Sequence, residues 1–342
     1  MLETTWFVLW GLLWAVYFVL DGFDFGMGTL LPFLAKNDEE KRIIYNAAGP
    51  YWDGNEVWLI TAGGVTFAAF PKAYAVMFSA LYAPLLILLF ALIFRAVSFE
   101  FRNKKDCPQW RKFWDACQFL GNFLPALLLG VAFANLFMGI PIDGNGVYHG
   151  NIIKLLNPYG LAGGIFFVLI FAMHGALWLA LKSEGDIHER AVGAAQVVWP
   201  LVLAVALLFL ALTAFYTNLY ANYAEHPTLL VFPILAVASL LTVRVMIWAD
   251  NLLGAWFFSA LFIITVTFFG VLGMYPGIII SSIDPAYSVT VFNGASSPLT
   301  LKIMLGVTLC CIPLVIAYQA WVYYTFAHKV TPESLQKDDH AY

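Results

Sequence analysis

Residues 197–216 read VVWPLVLAVALLFLALTAFY, twenty positions without a charge. At about 1.5 Å of helical rise per residue such a run is about 30 Å long, which matches the hydrocarbon core of a bilayer. Similar runs recur along the chain and predict nine spans, at about residues 5–34, 50–70, 73–97, 117–138, 159–181, 194–217, 228–248, 252–275 and 301–326. The first is longer than a bilayer needs, so it should tilt or protrude. Residues 1–5 hold Glu3 and no Lys or Arg, unlike the basic start of a secretory signal, so the first run is read as a retained span.

Composition agrees with this reading. Of 342 residues, 62% are apolar and 11% charged, against about 25% charged in a soluble domain. A soluble globular enzyme and a disordered chain are both excluded. A net charge of −4 with no isolated basic patch excludes a nucleic-acid binder. Strands of a membrane barrel alternate apolar and polar residues over about ten positions, and these runs are far longer and unbroken. The expected fold class is an all-α polytopic membrane protein. The four cysteines form no CxxC or haem-attachment pattern and read as inert thiols.

Cations set the direction of insertion. With the N-terminus outside, the loops after odd spans are cytoplasmic. Fourteen Lys and Arg residues then fall inside, and only Lys72, Lys154 and Lys302 fall outside. The C-terminus is therefore expected in the cytoplasm. The longest loops, 139–158 and 276–300, lie outside and are rich in turn residues.

Charged side chains within the spans ask for a reason, because each costs at least about 2.5–3.5 kcal/mol at mid-bilayer. The first span carries Asp21-Gly22-Phe23-Asp24-Phe25-Gly26-Met27-Gly28. Asp21 and Asp24 stand at i and i+3, on one helix face. The second opens Tyr51-Trp52-Asp53-Gly54-Asn55-Glu56-Val57-Trp58-Leu59, where Asp53 and Glu56 repeat that spacing. The third ends Phe99-Glu100-Phe101-Arg102-Asn103-Lys104. Helical rise puts Asp21 about 24 Å from the outer start of its span and Asp53 and Glu56 about 5–15 Å from the cytoplasmic face. All of these groups lie on one side of the membrane, as a proton staircase would require. The competing reading is structural: such carboxylates also cap helices or pair with Arg95 or Arg102. His174 is the one histidine well inside a span. A lone histidine does not make the facing axial pair that a membrane haem needs, so His174 reads as a hydrogen-bonded packing residue. His149 and His226 fall in outer loops, and His188, His328 and His340 on the cytoplasmic side. A proton-coupled secondary transporter is the alternative class, although its site would sit nearer the mid-plane.

The stretches Asp21-Gly22-Phe23-Asp24, Tyr51-Trp52-Asp53-Gly54-Asn55-Glu56-Val57-Trp58-Leu59-Ile60-Thr61-Ala62-Gly63-Gly64 and Leu156-Asn157-Pro158-Tyr159-Gly160 resemble subunit II of the cytochrome bd-type quinol oxidases, and the likeness runs over nearly the whole chain. The resemblance implies two four-helix bundles, at about 5–138 and 155–275, a peripheral ninth helix at about 301–326 and a cytoplasmic tail at 327–342. It implies a multi-pass protein of the bacterial plasma membrane that is not catalytic alone. Its partner would be a subunit I holding two b-type haems and one d-type haem, joined by a small single-span accessory subunit. The complex would oxidise quinol, reduce O2 to water and generate proton-motive force. By motif position a cytoplasmic proton path would include Lys104, Glu100 and Asp53, with Asp21, Asp24 and Glu56 further in. Trp58 would lie near an oxygen route. A structural quinone is implied for some members, with no residue here to locate it. Glu56 and Tyr51 depart from the Gln and His common in relatives.

Overall fold

The computed structural model describes residues 1–337 and Tyr342; residues 338–341, which include His340, lie outside it. In chain order the helices are α1 (Leu2–Leu34), α2 (Asp38–Ala48), α3 (Trp52–Ala69), α4 (Pro71–Ala80), α5 (Tyr82–Phe101), α6 (Pro108–Met138), α7 (Ile152–Leu155), α8 (Pro158–Lys182), α9 (Gly185–Tyr216), α10 (Leu219–Glu225), α11 (Val231–Trp248), α12 (Leu252–Met274), α13 (Pro298–Thr325) and α14 (Pro332–Lys337). Two short strands, β1 (Gly277–Ile279) and β2 (Val289–Thr290), pair antiparallel within the loop after α12.

Eight of these helices are long and apolar enough to cross a membrane: α1, α5, α6, α8, α9, α11, α12 and α13. The expected second span forms as α3, only 18 residues long and carrying Asp53 and Glu56 in its first two turns. The expected third span is broken in two, with α4 ending at Ala80 and α5 starting at Tyr82. Pro84 accounts for the break: it has no N–H to donate, and its ring would collide with the Ala80 carbonyl in a continuous helix. α6 and α9 begin nine residues before their expected spans, because polar first turns continue the helix past the apolar run. The region 276–300, expected as a loop, contains the β1–β2 pair, and Ile140 of the loop after α6 bridges to Ser281 beside it.

Local chemistry explains the helix starts. Asn157 caps α8: its side-chain oxygen accepts the Gly160 N–H at 2.8 Å, and its amide donates to Asn135 Oδ1 at 2.8 Å. Pro158 follows at the first helical position, where a missing N–H costs nothing. The Asn157-Pro158-Tyr159-Gly160 motif is thus a cap that also ties α8 to α6.

The core forms around α1 and α8, each 72% buried over its most apolar window, whereas α13 is 6% buried. Helix α1 packs on α3, α6, α8 and α12, so the two expected groups of four helices meet through it. Glycine permits the α1–α8 crossing. A Cβ on Gly26 would lie 1.8 Å from the Phe171 carbonyl oxygen, and one on Gly175 would lie 2.5 Å from the Met27 nitrogen. Backbones approach this closely only where neither residue has a side chain. Two indole N–H groups of α1 reach sideways: Trp6 donates to the Leu301 carbonyl at 3.0 Å, and Trp10 to Thr66 Oγ1 at 2.9 Å. Beyond the helix ends, Arg102 joins Asp38 at 2.6 Å and Asp115 at 2.7 Å, binding α2 and α6 to the end of α5.

Gly26→Ala should lower the thermal unfolding midpoint of the purified complex or block assembly, since overpacking here costs about 1–3 kcal/mol or more. Gly193→Ala, where nothing lies within 4 Å of the added methyl, should leave the midpoint unchanged. Equal midpoints for both variants would remove the crossing as a constraint.

Candidate functional site

Two predicted carboxylates converge on one cation, and a third lies beside them. Asp21 on α1 and Arg95 on α5 are both wholly buried. They pair through two contacts, Nη1 to Oδ1 at 2.7 Å and Nη2 to Oδ2 at 3.2 Å. The same Nη2 reaches Glu56 Oε2 on α3 at 3.1 Å. The guanidinium also lies over the Phe25 ring, 4.8 Å from its centroid. Asp24, one turn along α1, sits beside this group. Its Oδ2 accepts from Asn55 Nδ2 at 2.8 Å, and its Oδ1 is buried without a partner among the described residues. Asn55 is a junction: its amide also donates to the Leu20 carbonyl at 3.0 Å, and its oxygen accepts from Tyr323 of α13 at 3.0 Å. Arg95 therefore serves two carboxylates directly, and the Asp24 carboxyl is held beside them by Asn55.

A second group lies on α3, α5 and the turn that follows α5. Asp53, Glu100 and Lys104 are exposed on this chain. The Trp52 ring stacks on Phe99, 5.2 Å apart and 6° from parallel, which holds the start of α3 against the end of α5. Tyr342 packs there too, its ring 5.3 Å from Phe99. Burial, and next the Glu100 carboxylate beside it, push the Tyr342 hydroxyl above the usual tyrosine range. The six predicted positions thus form two sets, one around Arg95 (buried Asp21 and Asp24 with half-buried Glu56) and an exposed one (Asp53, Glu100, Lys104). Among the described residues no hydrogen-bond chain connects them.

Trp58 is buried, and its indole N–H donates to Gln319 Oε1 on α13 at 2.9 Å; the Gln319 amide returns a bond to the Gly54 carbonyl at 3.0 Å. An apolar cavity of about 620 Å³ lies one turn further along α3, between Leu59 and Gly63 of α3, Trp10 and Trp14 of α1, and Leu88 of α5. Trp58 does not line it. His174 has both ring nitrogens engaged: Nε2 donates to the Val19 carbonyl at 3.1 Å, and Nδ1 lies 2.6 Å from Ser259 Oγ. It packs between helices, as its isolation in the sequence predicts.

The centre of the site is Arg95, whose only sequence signal is a lone cation inside an apolar run. Tyr323 and Gln319 carry no signal at all, since their partners lie 268 and 261 positions away. Asn55 stands in the motif, but its role as a bridge depends on α13.

The family model described as cytochrome bd terminal oxidase subunit II matches residues 2–326. The chain is 37% identical over 336 residues to cytochrome bd ubiquinol oxidase subunit 2 of Bacillus subtilis (strain 168), covering 96% of this chain and 97% of the relative. It is 34% identical over 376 aligned positions to cytochrome bd-I ubiquinol oxidase subunit 2 of Escherichia coli (strain K12), covering 99% and 98%. The fold is similar to "The structure of bd oxidase from Geobacillus thermodenitrificans", with a TM-score of 0.80, 16% identity, and coverage of 95% of this chain and 98% of that one. The chain belongs to the cytochrome bd terminal oxidase subunit II family. It is a multi-pass plasma-membrane protein and one subunit of an oxidoreductase complex of electron transport, with a subunit I as partner. This assignment displaces the transporter alternative.

The family implies haem and quinol in the complex. His174, the histidine within a span, does not fit an axial haem ligand, because both of its ring nitrogens are bonded.

Arg95→Met would leave Asp21 and Glu56 without their counter-charge. Breaking a buried pair from one side costs about 3–5 kcal/mol, so intact complex should be lost from the membrane fraction. Adding Asp21→Asn and Glu56→Gln to Arg95→Met removes all three charges and should restore part of the yield. A single variant that assembles as well as the triple would rule out the shared guanidinium as the organising group.

Proposed function

We propose that this chain is the subunit of a respiratory terminal oxidase that carries protons inward from the cytoplasm while its partner performs the redox chemistry. The complex oxidises quinol, reduces O2 to water and so generates proton-motive force. Two b-type haems and one d-type haem are held by subunit I, and this chain supports that subunit without being catalytic alone. The supporting observation is the juxtaposition on α3 and α5: exposed Asp53 and Glu100 at the helix ends, and a buried carboxyl cluster around Arg95 one to two turns inward. Lys104 draws the path's mouth toward water, Glu100 and Asp53 receive protons there, and Asp21, Asp24 and Glu56 hold them inside. Water or partner residues bridge the two sets.

The N-terminus lies outside and the C-terminus in the cytoplasm, which fits the fourteen-to-three division of cations. Two four-helix bundles, α1–α6 and α8–α12, with peripheral α13, organise the nine crossings. The exposed apolar side chains of α3, α5 and α13, among them Ile60, Phe90 and Leu314, are covered by subunit I and a small single-span subunit. Trp58 borders an oxygen route, and one quinone is bound structurally.

Asp53→Asn tests the central step. Asn keeps the shape and hydrogen bonding but cannot titrate, so the complex should assemble with full haem absorbance while quinol-oxidase turnover falls roughly tenfold or more, a barrier increase of about 1.4 kcal/mol or more. Glu100→Gln should be milder, because solvent can bypass a group at the mouth. Wild-type turnover in Asp53→Asn at full haem content would end the proton-path reading. Direction is tested separately: alkaline phosphatase fused after Tyr342 should be inactive, and an active fusion would reverse the topology.

A further inference from the structure

Arg244 stands apart from the other membrane-level arginine. Arg95 holds carboxylates, and so do Arg102, Arg111 and Arg190 at the helix ends. Arg244 lies on α11 one turn before its end at Trp248 and has no carboxylate within salt-bridge distance among the described residues. Its guanidinium is instead sandwiched between two indoles, 5.6 Å from the Trp199 centroid on α9 and 4.9 Å from that of Trp248. One of its N–H groups donates to the Gln196 carbonyl at 3.1 Å. A guanidinium has five N–H donors, so most of them are left facing outward between two helices that expose most of their surface. A half-buried cation at this depth, with no anion from the protein, calls for one from outside it.

An apolar slot begins about one helical turn from this cation, at Leu240 and Leu241 of α11. The Trp199 indole N–H donates to the Leu240 carbonyl at 2.7 Å, joining α9 and α11 at the level of Arg244. Just beyond, Leu203 and Leu240 open an apolar cavity of about 120 Å³ that runs between the two helices toward Phe18, Phe167 and Phe262. Its walls are almost wholly hydrocarbon, which disfavours water. A cation about one helical turn from an apolar slot between the same two helices matches the polarity of an amphiphile with an anionic head and an alkyl chain.

We propose that Arg244, with Trp199 and Trp248, binds the phosphate headgroup of a phospholipid whose acyl chain enters the slot between α9 and α11. The planar guanidinium matches a phosphate through paired N–H donors, which a neutral headgroup cannot reciprocate. Tryptophan at this level is the side chain suited to a headgroup boundary. The bound lipid fills a gap between helices that otherwise touch little and compensates the one membrane-level arginine that lacks a carboxylate.

Native mass spectrometry of the intact complex, delipidated and then supplied with phosphatidylglycerol, tests this. The wild type should retain one phosphatidylglycerol more than Arg244→Gln, with unchanged haem content. Leu203→Trp plugs the slot and leaves the cation in place; it should lose the same molecule. Arg244→Lys should bind it more weakly, by roughly tenfold. Excess inorganic phosphate should not displace the lipid. Equal phosphatidylglycerol counts in wild type, Arg244→Gln and Leu203→Trp would overturn the proposal. So would a retained molecule that proves to be a quinone, or displacement by phosphate alone.

Discussion

A guanidinium buried among hydrocarbon side chains needs its counter-charge within the same fold, and Arg95 obtains it from two other helices. Asp21 comes from α1 and Glu56 from α3, both at contact distance. An isolated charge at this depth costs several kcal/mol. The pairing therefore fixes how α1, α3 and α5 stand relative to one another along the membrane normal. Sliding any of the three by one helical turn, about 5.4 Å, would lengthen these contacts beyond hydrogen-bond range. The glycine crossing of α1 and α8 then extends this frame to the second group of helices.

The same cluster is where structural and functional demands overlap. Asp21 satisfies the structural reading, since it is fully engaged by Arg95. Asp24 does not, because one of its oxygens is buried and unpartnered. Asp53 caps nothing by its side chain and pairs with no cation among the described residues. Negative charge there is favourable in the first turn of α3, yet that alone would be served by any acid. Pairing with Arg95 thus accounts for Asp21 and Glu56, and the proton path proposed above is the reading offered for Asp24 and Asp53.

Helix α13 shows how a peripheral element is held. It buries almost nothing within this chain, so packing does not retain it. Directed polar contacts at both ends do: Trp6 with the Leu301 carbonyl at the start, and Gln319 with Trp58, Tyr323 with Asn55, and the Phe326 carbonyl with Tyr51 and the Lys182 ammonium at the finish. Such bonds are strong anchors where water is excluded and each broken partner would be left unsatisfied.

Length, apolar runs and cation placement determined the class of protein, the number of crossings sought and their expected direction, because bilayer thickness and the cost of charge act on local sequence alone. The i, i+3 spacing of Asp21 with Asp24 and of Asp53 with Glu56 likewise determined which acids share a helix face. The pairing of Arg95 with two of those acids, the bridge through Asn55 to Tyr323, and the division into buried and exposed sets were decided only by tertiary structure. Each joins residues on helices 31 to 268 positions apart, and which face of one helix meets another depends on the packing of all its neighbours. The clamp on Arg244 is of the same kind: one tryptophan is four residues away, but the other comes from a helix whose rotation no local pattern specifies.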